Sequence, residues 1–178
     1  MTIRAQLAHV GLYVRDLPRM EKFYTAVLGL VITDKGKSSR GDVDLTFLSA
    51  TTATHHQMVL ATGRPEEARF STVNQVSFTV ASLAELREVH RRALENDATG
   101  MRITTHGIAW SAYFADPEGN VIEAYVDTPF HVPQPHGAPF DLHAPDDEIV
   151  RATEEHCRAN PGFQSHEEWA REQAARLV

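Results

Sequence analysis

Hydrophobic and polar residues alternate in two stretches of this chain, and the stretches repeat one another. LAHVGLYVRDLPRMEKFYTAVL at 7–28 lines up without a gap on VNQVSFTVASLAELREVHRRAL at 73–94, an offset of 66. Apolar positions coincide: Leu7 with Val73, Val10 with Val76, Leu12 with Phe78, Val14 with Val80, Leu17 with Leu83 and Leu28 with Leu94. In Leu7–Val14 the period of two places Ala8, Val10, Leu12 and Val14 on one face of a strand and His9, Gly11 and Tyr13 on the other. The period then changes. Leu17, Met20, Phe23, Tyr24, Val27 and Leu28 follow helical spacing, with Asp16 as cap, Pro18 in the first turn and Gly29 as terminator. Short strands are expected at Val31–Asp34, Val43–Ser49 and His55–Ala61, with Lys35–Asp42 as a loop.

The second half reads in the same order. Val73–Val80 is a strand, and Ser82 with Glu85 makes a capping box for a helix to about Asn96. Strands follow at Met101–Thr105, Ser111–Ala115 and Val121–Val126, the last two joined by the tight turn Asp116-Pro117-Glu118-Gly119-Asn120. The expected fold class is therefore α+β. Two βαβββ modules form an open mixed β-barrel with outer helices, carrying a C-terminal arm and helical extension. The expected domain spans 1–127, with modules at 5–62 and 72–127, and 128–178 forms the appendage. Thr128–Pro145 holds five prolines and three histidines and reads as an extended arm. Helices are expected at Asp146–Ala159 and Ser165–Leu177. The appendage reads either as a solvated tail packed on the barrel or a partner subunit, or as a lid over the site.

Charge and composition narrow the function. At 178 residues with a formal net charge of −7, the chain is large enough for a full core and too acidic for a general nucleic-acid binder. Residues 141–178 carry nine acids and four arginines, a net of −5, so most of the negative charge sits in the tail. The single cysteine, Cys157, excludes an internal disulfide and fits a reducing compartment. MTIRAQLAHV shows no leader pattern, and no stretch approaches the ~20 apolar residues of a membrane span. A soluble cytoplasmic protein is expected, with no membrane partner.

The duplication directs attention to His9 and Gln75, which fall at matched points of the first strands. Glu123, between apolar-side Ile122 and Ala124, is expected to face inward with Gln75. A buried carboxylate needs a counter-charge or metal to offset desolvation, so His9, Gln75 and Glu123 form a candidate divalent-metal site with open positions. The 66-residue offset puts Gln57 opposite Glu123, and a slip of one or two residues substitutes His55 or His56. Tyr13, Phe47, Trp110 and Tyr125 are expected to line the site.

LAHVGLYVRDLPRMEKFYTAVLGL followed by YFADPEGNVIEAY resembles the vicinal oxygen chelate superfamily, over about residues 5–127. That superfamily includes glyoxalase I, fosfomycin and bleomycin resistance proteins, methylmalonyl-CoA epimerase and extradiol ring-cleaving dioxygenases. THHQMVL resembles the HHxxAF segment in the catalytic half of the extradiol enzymes. By that resemblance His56 is an acid/base residue, His9, Gln75 and Glu123 are the ligands, and Tyr113 is the active-site tyrosine. His106, in HGIAW, is the further catalytic histidine, matched with a two-residue deletion. The implied activity is metal-dependent ring cleavage of a small catecholic substrate with O₂, using Fe(II), by a homodimer. Gln75 departs from the pattern, because an amide oxygen is a weaker ligand than imidazole. The departure keeps open Zn, Ni or Mn in a glyoxalase- or epimerase-type enzyme, and a non-catalytic small-molecule-binding protein of the resistance type.

Overall fold

The computed structural model describes residues 3–39 and 41–176. The chain divides into two compact units. One runs to Thr72 and also takes in Asp116–Asn120; the other comprises Val73–Ala115 and the residues from Val121 onward.

In the first unit β1 (Val10–Val14) leads into α1 (Leu17–Leu28), then β2 (Val31–Lys37), β3 (Asp44–Ser49) and β4 (Met58–Thr62). Asp16 caps α1 by accepting from the Arg19 amide at 3.0 Å, and Gly29 ends it in the left-handed conformation at φ 67°. The helix buries Met20, Phe23, Tyr24 and Val27. The sheet order is β1-β4-β3-β2, with β1 and β4 parallel. The first strand opens at Val10 rather than Leu7, because its partner supplies a ladder only from Met58 onward. β2 runs to Lys37, past the expected loop start, because Lys35, Gly36 and Lys37 still pair with Thr46, Leu45 and Asp44. Arg40, inside the expected loop, lies outside the described residues.

The turn Asp116–Asn120 is fastened within this unit. Glu118 Oε1 accepts from the Arg15 and Asp16 amides at 2.7 and 2.8 Å, and Tyr24 donates to Asp116 at 2.8 Å. The DPEGN motif thus caps buried polar groups as well as reversing the chain.

The second unit repeats the order. β5 (Val76–Thr79), α2 (Leu83–Glu95), β6 (Thr99–Thr105), β7 (Ala109–Ala115) and β8 (Val121–Asp127) form a sheet ordered β5-β8-β7-β6, with β5 and β8 parallel. The α+β reading with two mixed four-stranded modules is the observed one. Ser82 caps α2 through the Glu85 amide at 3.2 Å, and Glu85 reaches back to the Ala81 amide at 2.9 Å.

The appendage packs on the second unit. β9 (Phe130–His131) pairs with β10 (Gln164–Ser165), followed by α4 (His166–Arg176), and α3 is Asp146–Arg158. Leu177, the expected end of the last helix, lies outside the described residues. Phe130, Val132 and Cys157 form a small core with Val150 and Phe163. Arg87 on α2 holds the arm, donating to the Leu142 and Ala144 carbonyls at 2.7 and 2.9 Å and pairing with Asp146 at 2.7 Å. Among the described residues no helix is long and apolar enough to cross a membrane.

Candidate active site

The register of β5, β8 and β7 builds a polar row on one face of the second sheet. Glu123 pairs with Ser77 on one side and with Tyr113 on the other. Its neighbours Ile122 and Ala124 are fully buried on the opposite face, as alternation requires. Glu123 itself is only 7% exposed. Its Oε2 accepts from the Gln75 amide nitrogen at 2.7 Å and from the Ser77 hydroxyl. The structure thus brings Gln75 and Glu123 together.

His106 completes the row from the β6–β7 turn. Its Nδ1 lies 2.7 Å from the His136 carbonyl oxygen, and its Nε2 lies 2.8 Å from the Tyr113 hydroxyl. A carbonyl only accepts, so Nδ1 carries the proton of the neutral ring. Nε2 is then the acceptor, and the Tyr113 hydroxyl donates to it. His106 Nε2 stands 4.0 Å from Glu123 Oε1. Burial first, then the Glu123 carboxylate, pushes the Tyr113 phenol up to about 12, while Arg102, 4.0 Å above its ring, opposes the rise. Tyr113 is thus a neutral donor at pH 7. These groups border an open cleft of about 410 Å³, whose wall also includes Ile108, Tyr125, Asp127 and Gln134.

The chemistry of this row suits a divalent cation. Among the described residues the cationic side chains leave Glu123 unpaired within 4.0 Å except for His106. The buried carboxylate is held by neutral donors alone, which offset only part of its desolvation. Gln75, reversed end for end, would offer its carbonyl oxygen from the same place. Among the described residues no group of three or more His, Cys, Asp or Glu is arranged to hold a metal ion.

In the first unit His9 stands just ahead of β1, exposed, with its ring 4.4 Å from that of His56. The His56 ring is 5.1 Å from Phe47, and its Nδ1 is 3.0 Å from that of His55. Partial burial, then the neighbouring His9 and His55, lower the pKa of His56, which favours the neutral base at pH 7. Gln57 faces elsewhere: its carbonyl oxygen accepts from the Ala50 amide at 2.9 Å and ties down the β3–β4 loop. Its placement opposite Glu123 is corrected by the register. Gly11 pairs with Val59 where Ser77 pairs with Glu123, so Val59 occupies the matching place. The slip is two residues, because the connections of the two halves differ in length, and a two-residue slip preserves the face.

Among the expected lining residues Trp110 is corrected. Trp110 has the parity of Ala112 and Phe114, away from Tyr113, and its indole donates to Thr153 on α3 at 2.8 Å. Tyr13 is 65% exposed at the sheet surface. Phe47 lies beside His56, and Tyr125 lines the cleft. Ser77 and Gln134 went unread. Ser77 sits two residues beyond Gln75, so strand alternation alone could have indicated it. No local pattern points to Gln134, which reaches the cleft by the course of the arm.

A family model described as Glyoxalase/Bleomycin resistance protein/Dioxygenase superfamily matches residues 6–124. The chain is 27% identical over 132 residues to biphenyl-2,3-diol 1,2-dioxygenase 3 of Rhodococcus globerulus, covering 71% of this chain and 66% of that protein. It therefore spans just under two thirds of that relative's length. Similar solved structures include a glyoxylase/bleomycin resistance protein/dioxygenase domain from Frankia sp., at 22% identity and a TM-score of 0.58, covering 71% of this chain and all of the other. Another is the fosfomycin resistance protein FosX from Listeria monocytogenes complexed with Mn(II) and sulfate, at 18% identity and a TM-score of 0.55, covering 71% and 95%. At such identities the likeness speaks to the fold alone.

Proposed function

We propose that this chain, which belongs to the Glyoxalase/Bleomycin resistance protein/Dioxygenase superfamily, is a metal-dependent extradiol-type dioxygenase acting on a small catecholic substrate with O₂. The observation that carries the proposal is that Glu123, Tyr113 and His106 border one cleft, with Gln75 hydrogen-bonded to Glu123. The cleft groups a carboxylate, a phenolic donor and an imidazole, the residue types that the resemblance to extradiol enzymes implies. The likeness to a biphenyl-diol dioxygenase supports the same reading.

Glu123 and Gln75 would hold the metal. His9 enters as a further ligand, and His56 as a base for a substrate hydroxyl, by sequence position. A bound divalent ion, Fe(II) in this reading, would supply Lewis acidity, two-point chelation of the diol and electrons for O₂. The Tyr113 hydroxyl, neutral at pH 7, offers a hydrogen bond to an oxygen that gains negative charge in the cleft. His106 Nε2, which accepts the Tyr113 hydrogen bond in this structure, orients that hydroxyl when no substrate is present. Phe47, packed on His56, keeps that base partly out of water.

Metal analysis of the protein as purified, with oxygen uptake and ring-cleavage absorbance on a catechol, tests the reading. Bound iron with a yellow product is expected. Failure of Fe(II)-loaded protein to take up oxygen would overturn it. Zn, Ni or Mn with no oxygen uptake points to glyoxalase- or epimerase-type chemistry, the reading favoured by an amide at position 75. Gln75→His should raise iron affinity, and unchanged affinity removes Gln75 from the ligand set.

A further inference from the structure

Residues 134–138 lie beyond the stretch that the family model matches, yet they are tied to the candidate site at every step. The Thr105 amide donates to the Ala138 carbonyl at 2.8 Å, and the Ala138 amide returns a bond to the Thr105 carbonyl at 2.9 Å. The Gln134 amide nitrogen donates to the His106 carbonyl at 2.9 Å and to the Val132 carbonyl at 3.2 Å. Its amide oxygen accepts from the His136 amide at 3.2 Å. The result is to present the His136 carbonyl to His106 Nδ1 at 2.7 Å. Gly137 lies beside the imidazole, where a Cβ would stand 3.7 Å from Nδ1.

A neutral imidazole carries one proton on either nitrogen, and the partner of one nitrogen sets the role of the other. A carbonyl at Nδ1 forces the proton there, because it cannot donate. Nε2 is left as a bare acceptor facing the Tyr113 hydroxyl. With the proton on Nε2 instead, the phenol oxygen would have to accept from it, and the Tyr113 hydroxyl proton would turn to the Glu123 carboxylate.

We infer that the C-terminal arm is part of the active site, with Gln134 and the His136 main chain as positioning residues that hold His106 in its Nδ1–H tautomer and thereby direct the Tyr113 hydroxyl. The assignment of a role to Tyr113 and His106 rests on the proposed dioxygenase reading; the tautomer does not. The arm is thus neither a lid nor a bystander. It is the outer support of a catalytic pair whose members come from β6–β7.

Long-range proton–nitrogen spectra of the full chain, labelled at histidine and recorded about two pH units above the ordinary imidazole pKa of ~6.5, read the tautomer directly. His106 is assigned by its loss in His106→Gln. The full chain should show His106 as Nδ1–H, and Tyr113→Phe should leave it so, because the arm carbonyl remains. Gln134→Ala combined with Ala138→Pro removes the Gln134 bonds and the Ala138 amide bond to Thr105, and the Nδ1–H to Nε2–H ratio should fall about fivefold, the worth of one hydrogen bond. An Nε2–H signal in the full chain would overturn the inference. So would a tautomer that is lost in Tyr113→Phe. Should the double variant fail to fold, the full chain and Tyr113→Phe still decide. The spectra need neither metal nor substrate, so failure of the dioxygenase reading appears only in oxygen uptake.

Discussion

Gly107, one residue beyond His106, offers a direct measurement of how tightly the arm is packed behind the site. Its φ of +74° lies in the left-handed region, where an alanine costs roughly 1–2 kcal/mol. The added Cβ would stand 2.5 Å from Val132 Cγ2 and 3.1 Å from Cys157 Sγ. Both side chains are fully buried, so neither can swing into water. Overpacking of this kind costs a further ~1–3 kcal/mol. Gly107→Ala should therefore lose about 2–5 kcal/mol, and at this chain length each kcal/mol lowers Tm by roughly 2–4 °C. Thermal unfolding followed by circular dichroism reads the loss. Val132→Ala removes the atom that the new Cβ would meet. Combined with Gly107→Ala it should therefore cost at least ~1 kcal/mol less than the two single losses added, while the backbone penalty remains. A Gly107→Ala protein that melts within about 1 °C of the parent would refute the packing argument, as would strict additivity with Val132→Ala.

Other consequences follow from individual contacts. Glu123→Gln removes the charge that helps raise the Tyr113 phenol, so the Tyr113 contribution to an ultraviolet titration, isolated by subtracting Tyr113→Phe, should move down from about 12 toward the ordinary 10.0. An unmoved titration would mean that burial alone sets it. His56, His90, His131 and His136 all have folded pKa values lowered from 6.5, with burial the first cause in each. The unfolded chain then binds more protons below pH 6.5, so the stability these histidines contribute is present above that pH and lost as pH falls through their folded values. Tm measured downward from pH 7 should fall, and substituting glutamine for His90 should flatten the slope. Thr153→Val leaves the buried Trp110 indole without its acceptor and should cost ~1–3 kcal/mol in denaturant unfolding. Adding Trp110→Phe should then cost less than it does in the parent.

The duplicated fold was legible because it rests on periodicity. Val10, Leu12 and Val14 against Val76, Phe78 and Val80 read as strands in both halves, and both halves return the same strand order with a parallel outer pair. Glu123 was legible for the same reason: its apolar neighbours place it on the other face. Strand ends were less legible, because a ladder needs a partner. Leu7 and Ala8 have the alternation of a strand and no opposing residue to bond. Gln57 was misplaced because the offset that aligns the first strands does not survive two connections of different length. Trp110 was misplaced because an aromatic side chain in a sheet suits a pocket as well as a helix interface, and its face is decided by register.

Local spacing alone therefore determined the modules, the helix caps and the polar identity of positions 9, 75 and 123. Those properties depend on neighbours within a few residues, where backbone geometry leaves little choice. The tertiary structure decided what those positions touch. It turned Gln75 and Ser77 onto Glu123, Gln57 into its loop and Trp110 under α3. It also brought the His136 carbonyl to His106 across 30 residues of chain. No periodicity encodes that meeting. It arises from Arg87 and a small apolar core drawing the arm back over the second sheet, so that the proton on His106 is set by a segment with no site pattern in its sequence.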